Sequence, residues 1–214
     1  MLVVRSYHEG QPEYAVLQNG VVGQFFVRHK AKPKPRPEEF WSLTGREYPP
    51  PGQACLGLSW GDHGQLFSEY YLPDQRICDD GERHALVEIG QVASFVRGAG
   101  SKLLELTMAG LAQRNLRYAL MTVTAHMRSI LENLSIPYKE LGIAEQLRCR
   151  DAHLEWGSYY QNTPRVILID LQLVARSQLA ADHRRHDNNS NVTSNSGPSS
   201  IDMVGAQSLP GCWG

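Results

Sequence analysis

No stretch of the 214 residues reaches the about 18 consecutive apolar residues that a membrane-spanning helix needs. Cysteine is scarce. Cys55, Cys78, Cys149 and Cys212 are scattered without Cys-x-x-Cys spacing, so neither a disulfide framework nor a metal site is expected. A reducing, cytoplasmic setting is the default. Charge of one sign is also missing: 21 Lys and Arg face 22 Asp and Glu, net −1, which leaves no electrostatic footprint for nucleic acid. The first residues, Met1 to His8, have a short apolar run and no small-residue cleavage site, so they do not read as a secretory signal. No internal repeat is apparent. What is present is 42% hydrophobic residues, enough for one domain with a substantial core. That domain is expected over residues 1–182. From His183 the chain turns to Asn, Ser and Gly, which cannot bury enough apolar surface to order themselves, so 183–214 is expected to be a disordered tail.

Pattern predicts a strand over Met1–Tyr7 and a helix over Glu13–Lys30, with Tyr14, Leu17, Val21, Phe25 and Phe26 near one face. The Lys32-Pro33-Lys34-Pro35-Arg36-Pro37 run lacks alternate N–H groups and reads as an extended basic loop. A hairpin is expected next: Ala54–Trp60, a turn over Gly61–Gly64, and a return strand over Gln65–Leu72. Further strands are expected over Ala85–Ala93, Tyr118–Thr124, Ile136–Leu141 and Arg165–Ile169. Helices are expected over Gly100–Asn115, Ala125–Leu134 and Leu171–Ala181.

The stretch from Leu86 to Leu104 carries the most chemistry. An apolar strand bearing one carboxylate, Glu88, runs into Arg97-Gly98-Ala99-Gly100-Ser101-Lys102, and that turn opens a helix. The first N–H groups of a helix have no internal partner, and the helix dipole favours negative charge there. Residues 97–102 are therefore a candidate phosphate cradle, with the Ser94 hydroxyl as a further donor. Burial of Glu88 would raise its pKa towards that of a useful base at neutral pH. Trp156, Tyr159 and Tyr160 are candidates for the wall of a substrate pocket, each tyrosine offering a polar tip.

The order strand, helix, hairpin, carboxylate strand, glycine turn, helix, strand, helix, strand is similar to the acyl-CoA N-acyltransferase (GNAT) superfamily. Arg97-Gly98-Ala99-Gly100 matches the first places of its Gln/Arg-x-x-Gly-x-Gly/Ala turn, and Lys102 departs at the last, where a small residue is usual. Leu66–Leu72, Val87–Ser94 and Trp156-Gly157-Ser158-Tyr159-Tyr160 resemble the bacterial thermostable hemolysin family, itself similar in fold to acyl-homoserine-lactone synthases. The resemblance implies an α/β fold with a mixed, mostly antiparallel central sheet flanked by helices. It implies acyl transfer from an acyl-CoA or acyl carrier protein thioester to a small amine, with no tightly bound cofactor and with Glu88 assisting deprotonation. Signal or natural-product biosynthesis is the setting it suggests.

Other readings stand beside it. One is a GNAT-shaped protein that binds a ligand or partner without chemistry. Another is a membrane-active hemolysin, against which the absence of a membrane-length segment counts. Gly57-Leu58-Ser59-Trp60-Gly61 fits Gly-x-Ser-x-Gly, yet a hydrolase elbow needs a helix straight after the serine, and a turn and strand are expected here. The tail expectation is directly testable. A chain ending at Asp182 should melt within about 2 °C of the full-length protein, because a segment without a packed face adds little stability. A larger drop in a thermal scan would show that the tail docks on the domain.

Overall fold

The computed structural model describes residues 2–177. The expected tail at 183–214 and the end of the helix expected over Leu171–Ala181 lie outside the described residues; 171–177 is helical. The elements run β1 (Leu2–His8), α1 (Pro12–His29), β2 (Glu39–Gly45), β3 (Ala54–Trp60), β4 (Leu86–Ser94), α2 (Ala99–Gln113), β5 (Tyr118–Val123), α3 (Ala125–Asn133), β6 (Lys139–Ile143) and β7 (Arg165–Asp170). The strands form one sheet in the order β1-β2-β3-β4-β5-β7-β6. Every neighbouring pair is antiparallel except β4 and β5. The expected mixed, mostly antiparallel sheet flanked by helices is the fold observed.

Strand alternation sorts the core onto two faces. Leu56, Leu58, Val87 and Ile89 pack with Leu103, Leu104, Met108 and Leu111 of α2 and Leu131 of α3. On the opposite face, Cys55 and Ala93 meet Tyr14, Leu17 and Val21 of α1. Farther along that face, Leu86, Leu120 and Val166 meet Tyr71, Trp156 and Tyr159. Glu88 has the parity of Leu86, so its side chain belongs to the aromatic side.

Three expectations need correction, and one strand was not expected. Gln65–Leu72 is no return strand: Phe67–Tyr71 is a 3₁₀ helix, and β3 pairs with β2 and β4 instead. Buried Ser68 and Tyr71 stand three apart, the 3₁₀ period, and this outweighs the strand-like composition. Strand β2 follows the proline run directly and was not expected there; nearly all of it is buried, the polar Glu39, Ser42 and Thr44 included. The strand expected from Ile136 begins only at Lys139. Ser135 adopts φ 54 and the Ile136 N–H closes α3 on the Leu131 carbonyl at 2.9 Å. Finally, Phe26 lies off the buried stripe of α1 and is 44% exposed.

The two faces can be tested by truncation. Leu104→Ala should cost about 2–5 kcal/mol in chemical denaturation, since it opens a cavity in the α2 core. Phe26→Ala should change stability by no more than about 1 kcal/mol.

Candidate functional site

The site begins with a defect in the sheet. Between the Cys55–Ala93 and Gly57–Gly90 pairs, β3 advances two residues while β4 advances three. The extra residue in β4 is a bulge, and Gln91 there takes φ 50. Gly57 accommodates it: a Cβ at that position would lie 2.2 Å from Gln91 Oε1 and 2.7 Å from Pro37. Beyond the bulge, β4 stays with β3 and β5 stays with β7, but the two halves part. β4 and β5 pair only from Leu86–Tyr118 to Glu88–Leu120. Past that point the backbone groups facing the seam have no partner strand among the described residues.

Three cavities follow this seam. The first, about 240 Å³, holds Glu88 among Ser59, Trp60, Phe67, Thr122, Trp156 and Tyr159, with Lys34, Arg36 and Arg150 also in its wall. The second, about 110 Å³, lies between Ile89–Val92 and Met121–Thr124. The third, about 350 Å³, is formed by Ser94–Gly98, Gly100 and Ser101 with Arg28, His126, Met127 and Ile130. Phe25, Gly90, Gln91, Thr122 and Tyr159 are common to the first two. Arg28, Val92, His126 and Met127 are common to the last two. The glycine turn and Glu88 thus sit at opposite ends of one split seam.

Glu88 is buried, 7% exposed, and its carboxylate is well supplied with donors. Oε2 accepts the Phe67 N–H at 2.7 Å. Oε1 accepts the Ser68 N–H at 2.9 Å and the Ser68 hydroxyl. Ser68 Oγ is in turn 2.8 Å from Thr122 Oγ1. With Ser68 donating to Glu88, Thr122 donates to Ser68, so a hydroxyl chain leads from the carboxylate to a residue of the seam. Three of roughly four acceptor positions on the carboxylate are filled. Burial raises the Glu88 pKa above the ordinary carboxylate range, and the hydrogen bonds from Ser68 and Phe67 oppose that rise.

The 3₁₀ segment that supplies these donors is itself clamped. Arg83 pairs with Glu69 at 2.7 Å and donates to the Gly61 and Gly64 carbonyls, both at 2.6 Å. Glu69 also accepts the Leu66 N–H at 2.7 Å. Ser68, Thr122, Glu69 and Arg83 had no role assigned from the sequence. Ser68 and Glu69 lie inside the Leu66–Leu72 family pattern, and that pattern was the only available signal.

The Trp156–Tyr160 motif closes the first cavity. Gly157 has φ 50, and a Cβ there would fall 1.9 Å from the His29 carbonyl oxygen, so only glycine lets the loop press on the end of α1. The Ser158 N–H fastens it to that carbonyl at 2.8 Å. Tyr159 then packs among Phe25, His29, Trp156 and Tyr160. Trp156 and Tyr159 line the cavity, whereas Tyr160 lies behind it, its hydroxyl 2.7 Å from that of Tyr71. Burial raises the pKa of both Tyr159 and Tyr160.

The glycine turn has fewer open donors than the sequence implied. Ser94 Oγ accepts the Gly100 N–H at 3.1 Å and donates to the Val96 carbonyl at 2.8 Å. The Ala99 N–H binds the Val96 carbonyl and the Lys102 N–H binds that of Gly98. The Ser101 N–H has no partner among the described residues. Arg97, Gly98, Gly100 and Ser101 line the third cavity. Ala99 is packed in the core, and Lys102 pairs with Glu105 at 2.9 Å. Ser94 belongs to this end of the seam and not to the aromatic cavity. Arg28 and His126 are basic side chains of this wall that the turn motif does not contain.

A family model described as thermostable hemolysin matches residues 7–175. This chain belongs to the thermostable hemolysin family. No curated protein matches it in sequence. Among solved structures, the acyl-homoserine-lactone synthase LasI is similar over 80% of this chain and 90% of its own, with 9% identity and TM-score 0.55. The CoA-dependent acyl-homoserine-lactone synthase BjaI, solved with SAM and isopentyl-CoA, covers 83% and 87%, with 9% identity and TM-score 0.54. FeeM, an N-acyl amino acid synthase from uncultured soil microbes, covers 80% and 97%, with 11% identity and TM-score 0.52. At these identities the likeness is one of fold. Among the described residues, no helix of this family member is long and apolar enough to cross a membrane.

The Glu88 network makes a signed prediction. Both carboxylate oxygens accept backbone N–H groups, so the amide of Glu88→Gln must turn its NH₂ towards one of those donors. That conflict should cost about 1–3 kcal/mol in denaturant unfolding. Ser68→Ala removes a contact that lowers the Glu88 pKa, so the pKa should rise further. The variant's stability deficit should therefore grow as pH rises through the raised wild-type pKa towards the still higher pKa of the variant, the unfolded value being common to both chains. A deficit that shrinks with rising pH would mean that the hydroxyl does not serve the charged form.

Proposed function

We propose that this thermostable hemolysin family member transfers an acyl group from an acyl-thioester, carried by coenzyme A or acyl carrier protein, to a small amine. The observation that carries this reading is the split seam between β4 and β5. It joins a helix N-terminus suited to phosphate with a lined cavity that contains a buried carboxylate. The donor's phosphates would lie at Arg97, Gly98, Gly100 and Ser101, where the dipole of α2 and its Ser101 N–H favour an anion. The donor's amide-bearing arm would lie in the seam, where strand backbone groups lack partners. Its thioester would then reach the Glu88 cavity. The likeness in fold to acyl-homoserine-lactone synthases and an N-acyl amino acid synthase supports the reading.

The chemistry follows from the positions. An amine acceptor is protonated in water and must lose a proton to attack. Glu88, with its pKa raised, takes that proton directly or through Thr122 and Ser68. The amine nitrogen attacks the thioester carbon, the C–N bond forms, the C–S bond breaks and the thiolate leaves with the electron pair. The surplus proton on the newly bonded nitrogen passes to the sulfur, giving amide and thiol, and Glu88 releases to water the proton that it first took from the ammonium. Trp156 and Tyr159 would wall the reacting groups from water. Direct attack needs no covalent enzyme intermediate. The competing reading, a binding protein without chemistry, draws on the filled acceptor positions of Glu88, which also suit a purely structural cap.

Ser101→Asp separates donor binding from folding. A carboxylate in the first turn of α2 favours the helix dipole, so the melting temperature should hold or rise slightly. The same charge repels phosphate, so affinity for an acyl-CoA in calorimetry should fall at least about tenfold. Unchanged affinity for every acyl-CoA that the wild type binds would remove the cradle. Product formation is followed by mass spectrometry with acyl-CoA and amine panels; binding without any product would favour the non-catalytic reading.

A further inference from the structure

The Lys32–Pro37 run is a rigid strap. Pro33, Pro35 and Pro37 are buried, and Lys32, Lys34 and Arg36 alternate with them on the exposed side. The Tyr14 hydroxyl donates to the Pro37 carbonyl at 2.6 Å and Gln18 Nε2 donates to the Pro35 carbonyl at 2.6 Å. At the other end, the Lys32 N–H binds the Glu155 carbonyl at 2.7 Å. Proline fixes φ at alternate positions, so the strap holds the backbone that carries Lys34 and Arg36 in one extended course.

Most charges around the first cavity are already matched. Lys32 pairs with Glu155 at 2.8 Å. Glu38 is held by His63 and by the Trp60 N–H. Arg150 lies 3.6 Å from the Asp151 carboxylate. Lys34 and Arg36, both in the cavity wall and both exposed, have no carboxylate partner among the described residues. At the buried end of the same cavity stands Glu88. The cavity is therefore polarised, with unmatched positive charge at its mouth and a carboxylate at its depth.

We infer that the acceptor carries a carboxylate as well as its amine, and that Lys34 and Arg36 recognise that carboxylate while the amine faces Glu88. The acceptor is of the amino acid class. This rests on the acyl-transfer reading above and names the substrate of that same cavity. The Arg36 guanidinium can grip a carboxylate through two parallel N–H bonds.

The test uses reaction products as probes, so it does not depend on turnover. N-decanoyl-leucine and N-decanoyl-phenylalanine are compared with their uncharged carboxamides by calorimetry, on wild type and on Lys34→Gln/Arg36→Gln. Both positions are exposed, so the double variant should melt close to wild type. The free acids should bind wild type at least about tenfold more tightly than the amides. The double variant should lose that preference while its affinity for the amides holds. Raised salt should narrow the wild-type preference, because the recognising charges are solvent-exposed. Equal binding of acid and amide to wild type would overturn the inference and leave acyl transfer standing. So would a preference that survives in the double variant. Failure of both acids and amides to bind, with acyl-CoA also failing to bind, would overturn both.

Discussion

The bulge at Gln91 is the constraint on which the rest of the site depends. One surplus residue in β4 turns the strand away from β5, because the two can share a ladder only while their residues stay in step. β3 follows β4 through the bulge, and β7 follows β5 on the other side. The sheet therefore stays whole at its two halves and opens along a single seam. An open seam inside a sheet is costly if left dry, since its N–H and C=O groups lose their partners. Under the proposed function, a donor that brings its own amide groups would resolve that cost.

Glu88 is the last residue of β4 to pair with β5 before the strands separate. That position places a carboxylate at the end of the seam without exposing it. Burial alone would cost several kcal/mol for an ion, and the fold offsets this with two backbone N–H groups and a hydroxyl from one short 3₁₀ turn. The turn is held by the Arg83–Glu69 pair, whose guanidinium also gathers the Gly61 and Gly64 carbonyls. Structure and chemistry are thus joined in one group. The carboxylate organises the loop over the cavity, and its opposed pKa influences leave it above the usual range.

The parts of the site carried by local pattern were readable in advance. The glycine turn opens α2 one residue before the expected start, and Glu88 sits in a strand displaced by one residue from the expected range. Trp156 and Tyr159 do wall a cavity. What pattern did not reveal was occupancy. Ser94 uses the Gly100 N–H, Lys102 is spent on Glu105, and Tyr160 hydrogen-bonds to Tyr71 behind the wall. Each of these depends on a partner near in space whose identity no local window specifies. Ser68 and Thr122, 54 residues apart, are the clearest case.

The sequence by itself determined the period of each long element, the Tyr14, Leu17 and Val21 stripe of α1, the breaks at proline and glycine, and the family motif around Trp156. These rest on interactions within a few residues, where side-chain spacing and backbone sterics decide. Tertiary structure alone decided that β2 would be buried on both faces and that Phe67–Tyr71 would coil as a 3₁₀ turn. It also decided that the seam would open beside Glu88. In each of these the backbone had competing local options of similar energy. Burial against distant strands, and the need to satisfy a buried carboxylate, selected among them.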